Sequence, residues 1–158
     1  MVETFKSGKA AINKICELNK INLEVIPIDL DKPTGDISVG PAMDEMEFLD
    51  SFNIGLSAVS ESMDLITLGE MGIGNTTIAS ALCYHFFNNE VSSWVGPGTG
   101  STQNQISHKG EIIERAVKIN KQSITRPLQA GVFLGGREQA AICGAVVAAK
   151  HYSVPVIL

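Results

Sequence analysis

Between Asp64 and Leu82 the chain reads Asp-Leu-Ile-Thr-Leu-Gly-Glu-Met-Gly-Ile-Gly-Asn-Thr-Thr-Ile-Ala-Ser-Ala-Leu. Leu65 to Leu68 is a short apolar run bounded by glycine, as a buried parallel strand would be. Gly69, Gly72 and Gly74 permit positive φ and close approach of backbone to a ligand. Asn75, Thr76 and Thr77 are able to cap a helix that Ile78, Ala79, Ala81 and Leu82 continue. The first amides of such a helix lack internal acceptors and carry its positive dipole end, so strand, glycine turn and helix together make an anion site. The stretch predicts a phosphate held by the backbone of Gly72, Ile73, Gly74, Asn75 and Thr76. The same glycines would also serve a plain strand-to-helix turn, and the residues by themselves leave both readings open.

Gly69 to Thr76 fits the triphosphate-loop pattern G-x-x-x-x-G-K-[ST] except that Asn75 stands where the lysine belongs. That lysine reaches the outer phosphates, so its replacement argues against an ATPase or GTPase and suits a monophosphate better. Glu70 is electrostatically out of place beside a phosphate unless it meets a ribose hydroxyl or moves a proton; a solvated loop carboxylate is the simpler alternative.

Three segments now carry a resemblance: Gly69 to Thr77, Val-Gly-Pro-Gly-Thr-Gly at Val95 to Gly100, and Leu-Gly-Gly-Arg-Glu at Leu134 to Glu138. In this order and spacing they resemble the nicotinate-nucleotide:5,6-dimethylbenzimidazole phosphoribosyltransferase family, which makes the lower nucleotide loop of cobalamin. The resemblance implies transfer of 5-phosphoribosyl from nicotinate mononucleotide to a benzimidazole-type base, giving α-ribazole 5′-phosphate and nicotinate. It implies no metal or redox cofactor, and it implies a homodimer. Members of the family begin before Met1 and continue beyond Leu158, so the chain matches their central part. The resemblance places the principal general base, a glutamate, in the C-terminal part. The expectation for this chain by itself is therefore weak or absent turnover, with Glu70 as a secondary catalytic group. A non-catalytic protein that binds a nucleotide monophosphate explains the same loops.

Two further candidates need the resemblance to rise above bland alternatives. Glu90 to Gln103 holds Trp94, Gly96 and Gly98, and so glycine-rich a loop can approach a second part of a ligand or be a simple crossover. The family's equivalent loop lies over the nucleotide pocket. Lys109, near the start of an amphipathic segment, opposes the helix dipole unless it meets an anion, though exposed lysines are commonplace. A lysine at the matching place in the family contacts the nucleotide phosphate. Arg137 is read as a structural ion pair or packing residue, with Glu138 as one partner and phosphate as the alternative.

Composition bounds the rest. With 158 residues and 44% hydrophobic content, one α/β domain with a proper core is expected. A net charge of −5 without a basic patch speaks against nucleic acid, and no window approaches a membrane span or a signal peptide, so a cytosolic protein is expected. Cys16, Cys83 and Cys143 lie in apolar helical patterns and read as small buried thiols. Neither they nor His85, His108 and His151 show ligand spacing, and the aspartates of the 29–42 loop miss the calcium pattern, so no metal site is expected.

Periodicity predicts helices over 3–19, 44–63, 75–87, 105–121 and 137–151, with strands at 23–28, 65–68 and 154–158. This order predicts an open, mostly parallel, Rossmann-like α/β sheet flanked by helices, part of a larger α/β domain. Gly55 is read as a close-packing point within the 44–63 helix. The Ala and Gly face of the last helix is read as packing on a sheet or another subunit, and with the apolar final strand it favours a dimer.

Overall fold

The computed structural model describes residues 2–98, 100 and 102–157. The chain divides into two compact units, one up to Pro33 and one from Thr34 onward. In the first, α1 (Val2–Lys6) and α2 (Ala11–Asn19) replace the single expected helix. Gly8, at φ +71°, turns the chain between them. The expected strand at 23–28 is not formed. Strand character there depends on a paired neighbour, and Pro27 has no N–H to offer one.

The second unit opens with a loop anchored from inside: the buried Asn120 amide donates to the carbonyls of Ile37 (3.0 Å) and Ala116 (2.9 Å). Helix α3 (Glu45–Ser57) follows and is closed at its start by a reciprocal cap. Asp44 Oδ1 accepts from Glu47 N–H at 2.8 Å, and Glu47 Oε2 accepts from Asp44 N–H at 2.9 Å. The helix is shorter than expected because Ala58 to Ser60 leave it and residues 61–64 turn toward the strand.

Strand β1 (Ile66–Thr67), helix α4 (Asn75–Phe87), a single 3-10 turn at Val91–Ser93, α5 (Gln103–Asn120), α6 (Pro127–Leu134), α7 (Arg137–Tyr152) and β2 (Val156–Ile157) complete the unit. β1 and β2 pair in parallel, Ile66 opposite Val156 and Thr67 opposite Ile157. Helix-rich α/β with a small parallel sheet is thus the observed class. Helix α6 was not foreseen; Pro127 at its first position and the Gln129 side chain accepting from Arg126 N–H (3.0 Å) start it.

Two apolar clusters fill the unit. One gathers Phe48, Ala81, Ile113, Ala116, Leu134 and Ala140 between α3, α4, α5, α6 and α7. The other gathers Val59, Ala145, Ala148, Ala149 and Val154 under Ile66, Leu68 and Val156. That places one face of the sheet on α7 and leaves Leu65 and Ile157 outward, 51% and 56% exposed. Successive side chains point to opposite faces, and the described residues cover one of them.

The small residues of α7 meet α3. A Cβ on Gly144 would collide with the Phe52 carbonyl, and one on Gly55 with the Ala141 backbone. Gly55 is a close-packing point as read from the sequence. Of the α7 face read as packing on a sheet or another subunit, Ala145, Ala148 and Ala149 lie under the sheet, and Ala141 and Gly144 meet α3 of the same chain. Of the three cysteines only Cys16 is fully buried, and Cys143 is exposed; its thiol is still held above its usual pKa by partial desolvation. An apolar helical pattern does not say which positions sit at the edge of a contact.

Candidate functional site

The turn between β1 and α4 is built on Gly74, whose φ of +86° suits glycine and which occupies the position preceding the helix. Its carbonyl accepts from Thr77 N–H at 2.8 Å and Ile78 N–H at 3.2 Å. Those are the first bonds of α4, so the amides of Asn75 and Thr76 ahead of them have no intrahelical acceptor. Capping by a side chain, expected of Asn75, Thr76 or Thr77, does not occur. Asn75 is instead buried, at 8% exposure, and its side-chain amide donates to Glu70. Glu70 is thereby folded back over the turn. Gly72 faces the same place: a Cβ on it would run into both Asn75 and Glu138.

Lys109 arrives from α5. Its Nζ donates to Thr76 Oγ1 at 2.9 Å, across 33 residues of sequence. Partial burial lowers its pKa below that of an ordinary lysine, since desolvation disfavours the charged form. A partly desolvated ammonium group on the side chain of Thr76, whose own amide has no intrahelical acceptor, is an arrangement that favours an anion.

The second glycine loop closes on the same threonine. Gly98 has φ +53°, and a Cβ there would stand 3.3 Å from Thr76 Oγ1. The loop is tied down by Ser80, a residue that no sequence pattern singles out. Its buried hydroxyl lies 2.7 Å from the carbonyl oxygens of both Thr76 and Trp94. Trp94 stacks on Phe87 with ring centroids 5.5 Å apart, which fixes the far side of the loop. Thr99 and Ser101 lie outside the described residues.

Glu70, Gly72, Gly74, Asn75, Thr76, Gly98 and Lys109 are therefore brought together. Ile73 lies in the same turn with its side chain wholly exposed. No atom of the described residues lies within 4 Å of where a Gly96 side chain would project. Arg137 points elsewhere: it is buried and donates to Glu47 Oε1 at 2.9 Å. The structural ion pair is formed, with Glu47 in place of Glu138. A signal for it was present in the sequence only as the Asp44–Glu47 cap, since that cap brings Glu47 to the start of α3.

Among the described residues no three His, Cys, Asp or Glu side chains form a metal-holding group, and no helix is long and apolar enough to cross a membrane.

Comparisons with known proteins bear on this arrangement. The family model DBI_PRT, described as Phosphoribosyltransferase, matches residues 1–158. The nicotinate-nucleotide--dimethylbenzimidazole phosphoribosyltransferase of Brucella anthropi is 44% identical over 158 residues, covering 100% of this chain and 47% of the relative. That of Allorhizobium ampelinum is 42% identical, covering 100% and 46%. The chain thus spans about half the length of the curated relatives it matches. Among solved structures, CobT from Thermus thermophilus superposes with a TM-score of 0.83 at 28% identity, over 99% of this chain and 52% of that one. With the family model matched from end to end, the chain belongs to the phosphoribosyltransferase family that this model describes.

Proposed function

We propose that the turn from Gly69 to Thr77 holds the 5′-phosphate of nicotinate mononucleotide. In this reading the chain serves a phosphoribosyltransferase that moves the 5-phosphoribosyl group to 5,6-dimethylbenzimidazole. The observation that carries the reading is the placement of Lys109 Nζ on Thr76 Oγ1, beside the first amides of α4. The names of the curated relatives support the choice of substrates.

In such a reaction the bond from the anomeric carbon to nicotinate breaks, its electrons going to the pyridine nitrogen of the leaving nicotinate; a bond to the benzimidazole nitrogen forms, and the benzimidazole N–H proton passes to the general base that the resemblance places in the family's C-terminal part. The amides of Gly72 to Thr76 and the ammonium of Lys109 anchor the phosphate, so that the sugar is held while its anomeric carbon develops positive charge. Glu70, held by Asn75, presents a carboxylate toward the ribose and its developing charge. Asn75 puts a neutral amide where a triphosphate loop has its lysine, which favours a monophosphate. Gly96 and Gly98 bring the second loop's backbone over the nucleotide.

Binding to nicotinate mononucleotide and to nicotinate riboside, which lacks only the phosphate, tests the anchor. The phosphate is expected to supply most of the affinity; equal affinity for the two ligands would overturn the reading. The proposal extends to a homodimer, supported by the family resemblance.

A further inference from the structure

The third motif, Leu134 to Glu138, has no part in the phosphate anchor as described above. Leu134 is core, Gly135 lies against the backbone of Gly131, and Arg137 is engaged with Glu47. Glu138 is left to explain. It sits in the first turn of α7, half-buried, and the space that any Gly72 side chain would occupy is taken by Glu138 Oε1 and the Asn75 amide. Its other carboxylate oxygen lies 3.3 Å from where a Gly136 Cβ would stand, so the whole group is confined between α7 and the glycine turn.

A carboxylate in that position works against an anion site, since like charges at close range repel. Its placement at the start of α7 is favourable for the helix, but the cost to a neighbouring phosphate needs a compensating role. Asn75 supplies one: this buried side chain donates to Glu70, and both its amide and Glu138 Oε1 lie within 2.5 Å of where a Gly72 Cβ would stand, so the two groups share the space beside Gly72.

We propose that Glu138 is a positioning residue of the phosphate loop: with Glu70 it confines the buried Asn75 amide, and so sets the Gly72 turn that presents the helix amides to the phosphate. The proposal rests on the reading of the turn as a phosphate site. It accounts for glycine at 72, where a side chain would displace one of the two groups, and it joins the third motif to the first through space.

The test uses the chain with Glu138→Ala, Glu138→Gln and, as a control at the far end of α7, Lys150→Ala, each checked for folding by circular dichroism. Two quantities are read: calorimetric affinity for nicotinate mononucleotide, and the backbone amide resonances of 72–77 in the ligand-free chain. Glu138→Ala is expected to weaken binding about tenfold, since the turn loses one of the two groups that fill the space beside Gly72, and to shift the loop resonances. Glu138→Gln, of the same shape, should restore most of the affinity, and Lys150→Ala should change neither quantity. Removing a bystander negative charge would instead tighten phosphate binding. Unchanged or tighter binding by Glu138→Ala, or unmoved loop resonances, overturns the proposal. If the unsubstituted chain binds no mononucleotide, the phosphate reading fails, and the loop resonances still decide whether Glu138 sets the turn.

Discussion

Lys109 sits in the second turn of α5, where partial burial lowers its pKa. That effect eases if a phosphate binds, because an opposite charge restores the ammonium form. The folded chain therefore holds fewer protons at this site than the unfolded chain in the window just below 10.5, the ordinary lysine value. In that window stability without ligand rises with pH. Affinity for the mononucleotide should do the opposite, falling as pH rises through the lowered value. Titrations at a series of pH values check this, and Lys109→Arg, which stays charged, should carry binding to higher pH. An affinity flat up to the ordinary lysine value in the unsubstituted chain would show that Lys109 is not the anchor. Arg137 belongs to stability instead. Replacing it with Met takes the guanidinium away from the Glu47 carboxylate, and denaturant unfolding should show a loss of about 3 kcal/mol, the low end for a broken buried pair because Asp44 still holds Glu47. At this scale the turn glycine Gly74 was legible from its place between strand and helix, whereas the approach of Lys109 to that turn was legible only through the family resemblance. Asn75 was only half legible: its presence excluded a triphosphate lysine, but its burial against Glu70 and Glu138 depends on α7, which lies far along the chain.

At the scale of elements, glycines in helices separate two situations. Gly55 and Gly144 face backbone across the α3 and α7 crossing, where nothing flexible gives way. Gly55→Ala should therefore destabilise the fold by about 2 kcal/mol or more, despite the higher helix propensity of alanine. Gly110 in α5 is the contrast. Among the described residues a Cβ there would meet only Val91 Cγ1, at an ordinary 3.6 Å. Gly110→Ala should raise stability by up to about 1 kcal/mol, and thermal unfolding of the two variants gives the signs. The long helices were legible because their apolar spacing persists over several turns. The strand at 23–28 was not, since composition suits a strand but pairing makes one. Helix α6 escaped because its 8 residues carry too little periodicity to stand out beside a glycine pair.

For the whole molecule, the fold class followed from alternating helix and strand patterns, and the meeting of α4, α5 and the second glycine loop followed from neither. What brings Thr76, Gly98 and Lys109 together is tertiary: the Ser80 hydroxyl between two carbonyls, the stack of Trp94 on Phe87, and α5 packing on α4. Resemblance to the family supplied that juxtaposition before geometry did. The proposed homodimer predicts a sedimentation mass of two chains at micromolar concentration, and a single-chain mass there would set it aside. The most direct test of the central claim is calorimetric titration of this chain with nicotinate mononucleotide, with ATP as the competing ligand and Lys109→Ala alongside. The mononucleotide is expected to bind and ATP is not, and the substitution should weaken binding at least about tenfold, as for a lost charge-assisted contact. A folded chain that binds ATP as well, or binds the mononucleotide equally with and without Lys109, would contradict the claim.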